Sequence, residues 1–371
     1  MNPAQSRASG SPAKPGFSRV PLLLPGMLAL VVGVLAGLAR LGWEVPDRVA
    51  AQAGLHAAWM IGGFFGTVIS LERAVALGKG WAYLAPAAAG LAGIGLLAGL
   101  GLALVQGAML MAGCVLCCTS LQAWRRVRAQ FTVVLSVAAG CWLAGSLAWA
   151  LSGGVWAALP WWLAFLLLTI AGERLELTRL LPVPVWAKQV FWLPALLMLA
   201  GAMATGQWPG AGWQAFAVGM LLLAAWLLAF DIARPNLRQR GLTRYIAVAL
   251  LGGYLWLALA GGMGVLDAFE PGHPWRDAAL HAVGLGFVFS MVFGHAPIIL
   301  PAVARIRIPW HPVFYLPLLA LHLTLLLRVL GAIEGWFVLR HLAGLLNALV
   351  LLLFVGVVLS RIWRGKRLPA V

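Results

Sequence analysis

Seven histidines are the residues of this chain best suited to chemistry: His56, His273, His281, His295, His311, His322 and His341. None lies between residues 57 and 272. Two of the seven have matching surroundings. His56 opens an apolar run in LHAAWMIGGFFG, and His281 opens another in LHAVGLGFVFSMVFGH. Arg48 lies eight residues before the first and Arg276 five before the second, so both imidazoles are expected one to two helical turns below the same surface. A histidine near a helix end is ordinarily an interfacial polar residue. Two neutral imidazoles at one depth on two helices are also the set that a six-coordinate haem iron requires. A flat macrocycle needs small neighbours, and Ala57, Gly62, Gly63 and Gly284 supply them. Its carboxylates need cations at the outer edge, where Arg48, Arg276 and Arg340 are available.

His295 follows His281 by fourteen residues, ~21 Å of helix on nearly the same face. A second metal there needs a partner at the inner depth. The helix of His56 offers Ser70, and His322 is expected nearer mid-membrane. His295 therefore reads first as a polar residue satisfying carbonyls freed at Pro297 and Pro301, with a metal-ligand role as the alternative. Acidic residues are few. Glu72 and Arg73 end one apolar run, and Glu173, Arg174 and Glu176 end another. With His322 they form either helix-anchoring interfacial ion pairs or a proton- or quinone-side polar cluster. Cys114, Cys117 and Cys118 follow i, i+3, i+4 spacing inside an apolar run, which reads as packing.

The elements that must hold these residues are membrane helices. The chain is 63% apolar and only 10% charged, with uninterrupted apolar blocks. A run of roughly 20 such residues crosses the ~30 Å hydrocarbon layer as a helix. The fold class is all-α, a polytopic bundle of about twelve transmembrane helices, expected at 20–41, 50–72, 81–103, 105–124, 130–151, 156–178, 189–205, 212–232, 244–265, 277–303, 312–331 and 338–361. Residues 1–19 are expected to form a flexible cytoplasmic tail, 20–362 the transmembrane domain and 363–371 a second cytoplasmic tail. The net charge of +16 follows the same plan. All the Lys and Arg residues except Arg40, Arg48, Arg276, Arg328 and Arg340 fall on one side of the alternating spans. By the positive-inside rule that side is cytoplasmic, both termini lie inside, and the bilayer rather than nucleic acid accounts for the charge. A bacterial inner membrane is the expected location. Gly62/Gly66 and Gly95/Gly99 are spaced to let helices approach closely. Trp81, Trp161, Trp162, Trp208 and Trp275 stand near predicted boundaries, as an interfacial belt would.

The phrases LHAAWMIGGFFGTVISLERAVALG and HAVGLGFVFSMVFGHAPIILP resemble the NnrS family, nitric-oxide-response haem–copper membrane proteins, and more distantly subunit I of the haem–copper oxidases. The topological likeness spans the chain; the motifs cover about fifty residues. The resemblance implies twelve helices, haem as cofactor, and His56 and His281 in the place of the low-spin haem ligands on helices 2 and 10. It also implies a role in the nitrosative stress response or in electron transfer, with a redox partner or quinone. Two departures stand against the rest of the oxidase site. Ala279 and Val283 occupy the positions two residues either side of His281, where the oxidases carry a further haem ligand. The histidine-free stretch removes the copper ligands of helices 6 and 7, so copper and dioxygen reduction are not expected. The competing readings are a cofactor-free transporter using Glu72, Glu173, His295 and His322, and a membrane assembly scaffold.

Overall fold

In the computed structural model, which describes residues 20–366, every regular element among those residues is helical. Twelve of the helices are long and apolar enough to cross a membrane. We label them α1 (Pro21–Arg40), α2 (Ala58–Leu77), α3 (Gly80–Ala98), α4 (Leu102–Arg126), α5 (Gln130–Ser152), α6 (Val155–Leu180), α7 (Val185–Ala204), α8 (Pro209–Phe230), α9 (Gly241–Val265), α10 (Arg276–Ala304), α11 (Pro312–Ile333) and α12 (Phe337–Lys366). Val20 and Lys366 lie at one end of the bundle, called the terminal end; the opposite end is the far end. The tail expected at 1–19, and residues 367–371 of the second tail, lie outside the described residues.

Several boundaries differ from the sequence expectation, α2 most of all (58–77 against 50–72), and two of the differences have clear local reasons. α3 stops at Ala98 rather than near 103 because Gly99 adopts φ +76°, a left-handed conformation that caps the helix and turns the chain into α4. Gly99 is thus a cap and not half of a packing pair. α12 continues through 363–366 instead of ending near 361. Arg361 and Gly365 pack there against the backbone of the α10–α11 connection, with Arg361 Nε donating to the Pro309 carbonyl at 3.2 Å. One tryptophan of the expected belt is a core residue. Trp162 is fully buried in α6, edge-on to Trp149, whereas Trp81 and Trp208 are exposed. Cys114 and Cys118 are exposed on α4, so two of its three thiols face outward rather than into the packing.

Burial sorts the helices. The windows of α2, α6 and α10 are 61, 78 and 67% buried, against 56% or less for every other span. These three, at intervals of four along the chain, meet one another in the interior. The remaining helices pack largely as sequential hairpins around them. In a bilayer such contacts are made by close packing of small residues rather than by hydrophobic exclusion from water. Gly66 of α2 is the clearest interior case, because a side chain there would overlap the Trp142 ring of α5. Gly62 serves the same end against Met109 of α4.

Between two spanning helices, the closest backbone approach joins α7 and α8. A methyl group on Gly201 would lie 2.5 Å from the Phe216 backbone nitrogen and 2.6 Å from the Gly212 carbonyl oxygen. Gly201→Ala is therefore expected to force the two helices apart and destabilise the bundle by roughly 1–3 kcal/mol. Thermal unfolding in detergent checks this against Gly107→Ala in α4, where an added methyl meets nothing within 4 Å and an unchanged midpoint is expected.

Candidate functional site: a histidine-walled cavity at the far end

α2 and α10 enter the bundle from the far end in the same unusual way. His56 stands two residues above the start of α2, and His281 lies one turn into α10. Each is followed by an eight-residue π-helical segment, Ala58–Phe65 in one helix and Ala282–Phe289 in the other. π-Segments are rare and recur at functional sites, because the wider turn re-aims side chains that a regular helix would place elsewhere.

The two segments bring the histidine rings close together on one cavity wall. Their ring centroids are 6.1 Å apart and their planes differ by 24°. Each ring is held through Nδ1. His56 Nδ1 bonds the Gly33 carbonyl of α1 at 2.7 Å, and His281 Nδ1 bonds the Asp277 carbonyl one turn earlier at 2.7 Å. A carbonyl only accepts, so Nδ1 carries the proton in both rings and Nε2 keeps its lone pair. Neither Nε2 hydrogen-bonds any described residue, and both side chains line one cavity.

The Gly33–Gly37 pair makes the first of these anchors possible. Gly33 lies against Met60 and the Cβ of Trp59, and Gly37 lies under the His56 ring, 2.9 Å from its Cε1 to an added methyl position. Any side chain at either glycine would push His56 away from the carbonyl it bonds. The spacing of four places both on one face of α1, the face turned to α2.

The cavity has a volume of about 520 Å³ and is bounded by α1, α2, α6, α10, α11 and α12. That is within the roughly 300–1,000 Å³ usual for small-molecule and cofactor pockets. Its walls are apolar: Val34 and Leu38 from α1, Met60 and Ile61 from α2, Leu159, Leu163 and Leu166 from α6, Leu285 from α10, Leu351 from α12. Gly284 and Gly344 keep the sides of α10 and α12 low, and an added methyl at Gly284 would meet nothing within 4 Å. Phe65 and Phe289, which close the two π-segments, form the floor. Their rings meet edge-on at 5.4 Å, and Phe64 lies parallel to Phe289 at 6.0 Å.

The mouth is cationic. Arg40, Arg276 and Arg340 line it, and none of them forms an ion pair among the described residues. Arg276 sits over the Trp156 ring at 4.1 Å with Arg40 at 5.7 Å from the same ring. The Nε atoms of Arg276 and Arg340 are buried without a hydrogen-bond partner. Buried guanidinium N–H groups left unpaired are costly, and a carboxylate or phosphate at the mouth would satisfy them. A fourth arginine, Arg328, is committed. Its Nε and Nη2 hold the two carboxylate oxygens of Asp277 at 2.8 Å each.

The expected site residues divide as follows. His56, His281 and Arg276 come together in the cavity. Arg48 is exposed and does not line it; Arg40, one turn-and-loop earlier, does. His295 lies outside the cavity, with Nδ1 bonding its own-helix Met291 carbonyl at 2.8 Å. Glu72, Arg73 and Glu173 form a part-buried ion-pair cluster joining α2 to α6 toward the terminal end, with Arg73 bonded to Glu173 and 4.0 Å from Glu72. His322 belongs to neither group; its Nδ1 accepts from Trp256 Nε1 at 2.9 Å beside Gly252. Sequence reasoning passed over Arg40, the Gly33–Gly37 pair and the α6 leucine wall. The GVLAGLAR phrase that ends α1 carried the signal for the first two. The leucines carried none, since any apolar span supplies them.

Among known proteins, no curated sequence matches the chain. The family model described as "Domain of unknown function (DUF8744)" matches residues 19–363, nearly the whole length, and the chain belongs to that family.

Proposed function

We propose that this is a haem-binding electron-transfer protein of a bacterial inner membrane, in which His56 and His281 would hold the haem iron. The observation that carries the reading is the spacing of the rings. A neutral imidazole binds a first-row metal at about 2.0–2.1 Å, and its nitrogen lies roughly 1.1 Å from the ring centre, so a linear pair on one ion spans about 6.3 Å between centroids. The observed separation is 6.1 Å, with both Nδ1 atoms occupied and both rings on the cavity wall. The glycine-lined flanks suit a flat macrocycle, and the unpaired arginines at the mouth suit its carboxylates.

A haem bound here would supply one-electron redox chemistry. The protein's own part is positional and electrostatic. His56 and His281 offer two neutral nitrogen donors locked in one tautomer, and together they would hold the iron without leaving room for a gas. That supports electron transfer over binding of nitric oxide, within the NnrS-like resemblance. The leucine and phenylalanine walls exclude water, and Arg40, Arg276 and Arg340 hold anionic groups at the far end. The distribution of Lys and Arg supports termini on the cytoplasmic side, so the mouth would face the periplasm or the outer leaflet, where a redox protein or a quinone can approach.

Three outcomes test the reading. His56→Ala and His281→Ala are each expected to abolish haem retention and the reduced α-band, while His311→Ala keeps both; equal haem in all three variants would remove the ligand assignment. Gly37→Ala is expected to lower haem content several-fold by displacing the His56 ring, measured as the ratio of Soret to protein absorbance. Arg276→Gln combined with Arg340→Gln is expected to leave the spectrum unchanged yet speed haem loss to a soluble haem scavenger about tenfold or more, since a charge-assisted hydrogen bond contributes about 1.5–3 kcal/mol.

A further inference from the structure

The two histidines are held by different groups, and the difference has an electrostatic direction. His56 rests on an uncharged carbonyl from another helix. His281 rests on the Asp277 carbonyl and has the Asp277 carboxylate 3.3 Å from the same nitrogen. The Arg328 fork grips both oxygens of that carboxylate, Nη2 on the Oδ1 nearest His281 and Nε on Oδ2, and Arg328 Nη1 lies 3.4 Å from Asn347 Oδ1. Asn347 Nδ2 in turn donates to Thr324 Oγ1 at 2.8 Å. α11 and α12 thus brace Arg328, Arg328 braces Asp277, and Asp277 fixes His281. Among the described residues, the other carboxylate–arginine ion pairs all involve the α2 and α6 segments toward the terminal end, so this is the one pair in the cavity wall.

We infer that the Asp277–Arg328 pair is a positioning device that sets the reduction potential of the site, with its negative end turned to His281. The inference rests on the haem reading above. The negative charge of a carboxylate beside a ligating imidazole strengthens its donation and stabilises the more positive, oxidised metal. In a poorly polarisable wall that influence is larger than in water. Arg328, bound to both oxygens of the carboxylate, offsets part of the field. The pair therefore acts as an oriented dipole, and each half pulls the potential its own way: Asp277 down, Arg328 up. A brace serving only packing has no such sign.

Redox titration of the purified, haem-loaded protein in detergent reads this directly. Asp277→Asn is nearly isosteric and leaves Arg328 uncompensated. It is expected to raise the midpoint so that the oxidised-to-reduced ratio at fixed potential falls at least tenfold, about 59 mV for a one-electron couple. Arg328→Gln is expected to move it the opposite way, and the double variant to return toward wild type. Arg328→Lys keeps the charge without the fork and is expected to shift less than Arg328→Gln. Opposite shifts with the bis-imidazole spectrum retained support the inference. Shifts of one sign, no shift, or equal effects of Lys and Gln at position 328 overturn it while leaving the haem reading standing. A wild-type protein that takes up no haem overturns the haem reading instead, and the inference with it.

Discussion

Two imidazoles, each tied by one nitrogen to a backbone carbonyl and offering the other to a shared gap, are the constraint around which this bundle is organised. Fixing them demands more than two suitable residues. α1 must come close enough to α2 for the Gly33 carbonyl to reach His56, which is why two glycines one turn apart face that contact. α2 and α10 must both abandon regular helical winding directly after their histidines. Both must also be interior helices, because an imidazole pair facing lipid would have nothing to hold. Burial of α2, α6 and α10 above all the others meets that last requirement.

The cost of polar groups in a membrane explains how sparingly the rest is furnished. Every charged residue of the cavity wall is at its mouth or paired. Asp277 is held by two arginine nitrogens, and the unpaired arginines sit where the wall opens. Toward the terminal end, Arg73 joins Glu173 across two of the three interior helices, an ion pair that anchors α2 to α6 at a level where headgroups and water soften its desolvation. The remaining interior is mostly apolar, with Arg174 and Asp231 among its buried charged exceptions and glycine at many of the closest helix contacts.

Much of this was legible before any coordinates. Twelve apolar blocks separated by basic loops specify the twelve helices, because the thickness of a bilayer leaves little freedom in span length. The two histidines that share the sequence phrase Leu-His-Ala do share a cavity, and depth counted from the helix ends was enough to pair them. What the sequence did not disclose was lateral position. Arg48 and Arg40 are at similar depth, but only the second turns toward the cavity, and which way a helix faces depends on neighbours far away in the chain. His322 was grouped with the acidic residues as one polar cluster, but its hydrogen-bond partner is Trp256. Trp162 looked interfacial because it lies seven residues into α6, yet α6 is buried along most of its length and carries the ring with it. The π-segments have no compositional signature that distinguishes them from ordinary glycine-bearing helix.

The phenylalanine floor gives the cavity a direction. Phe65 and Phe289 close it toward the terminal end, with the Phe64 ring packed against both. The chamber is therefore one-ended: its arginines stand at the opening and its aromatic rings at the blind end, so anything the histidines met would have entered past cationic side chains.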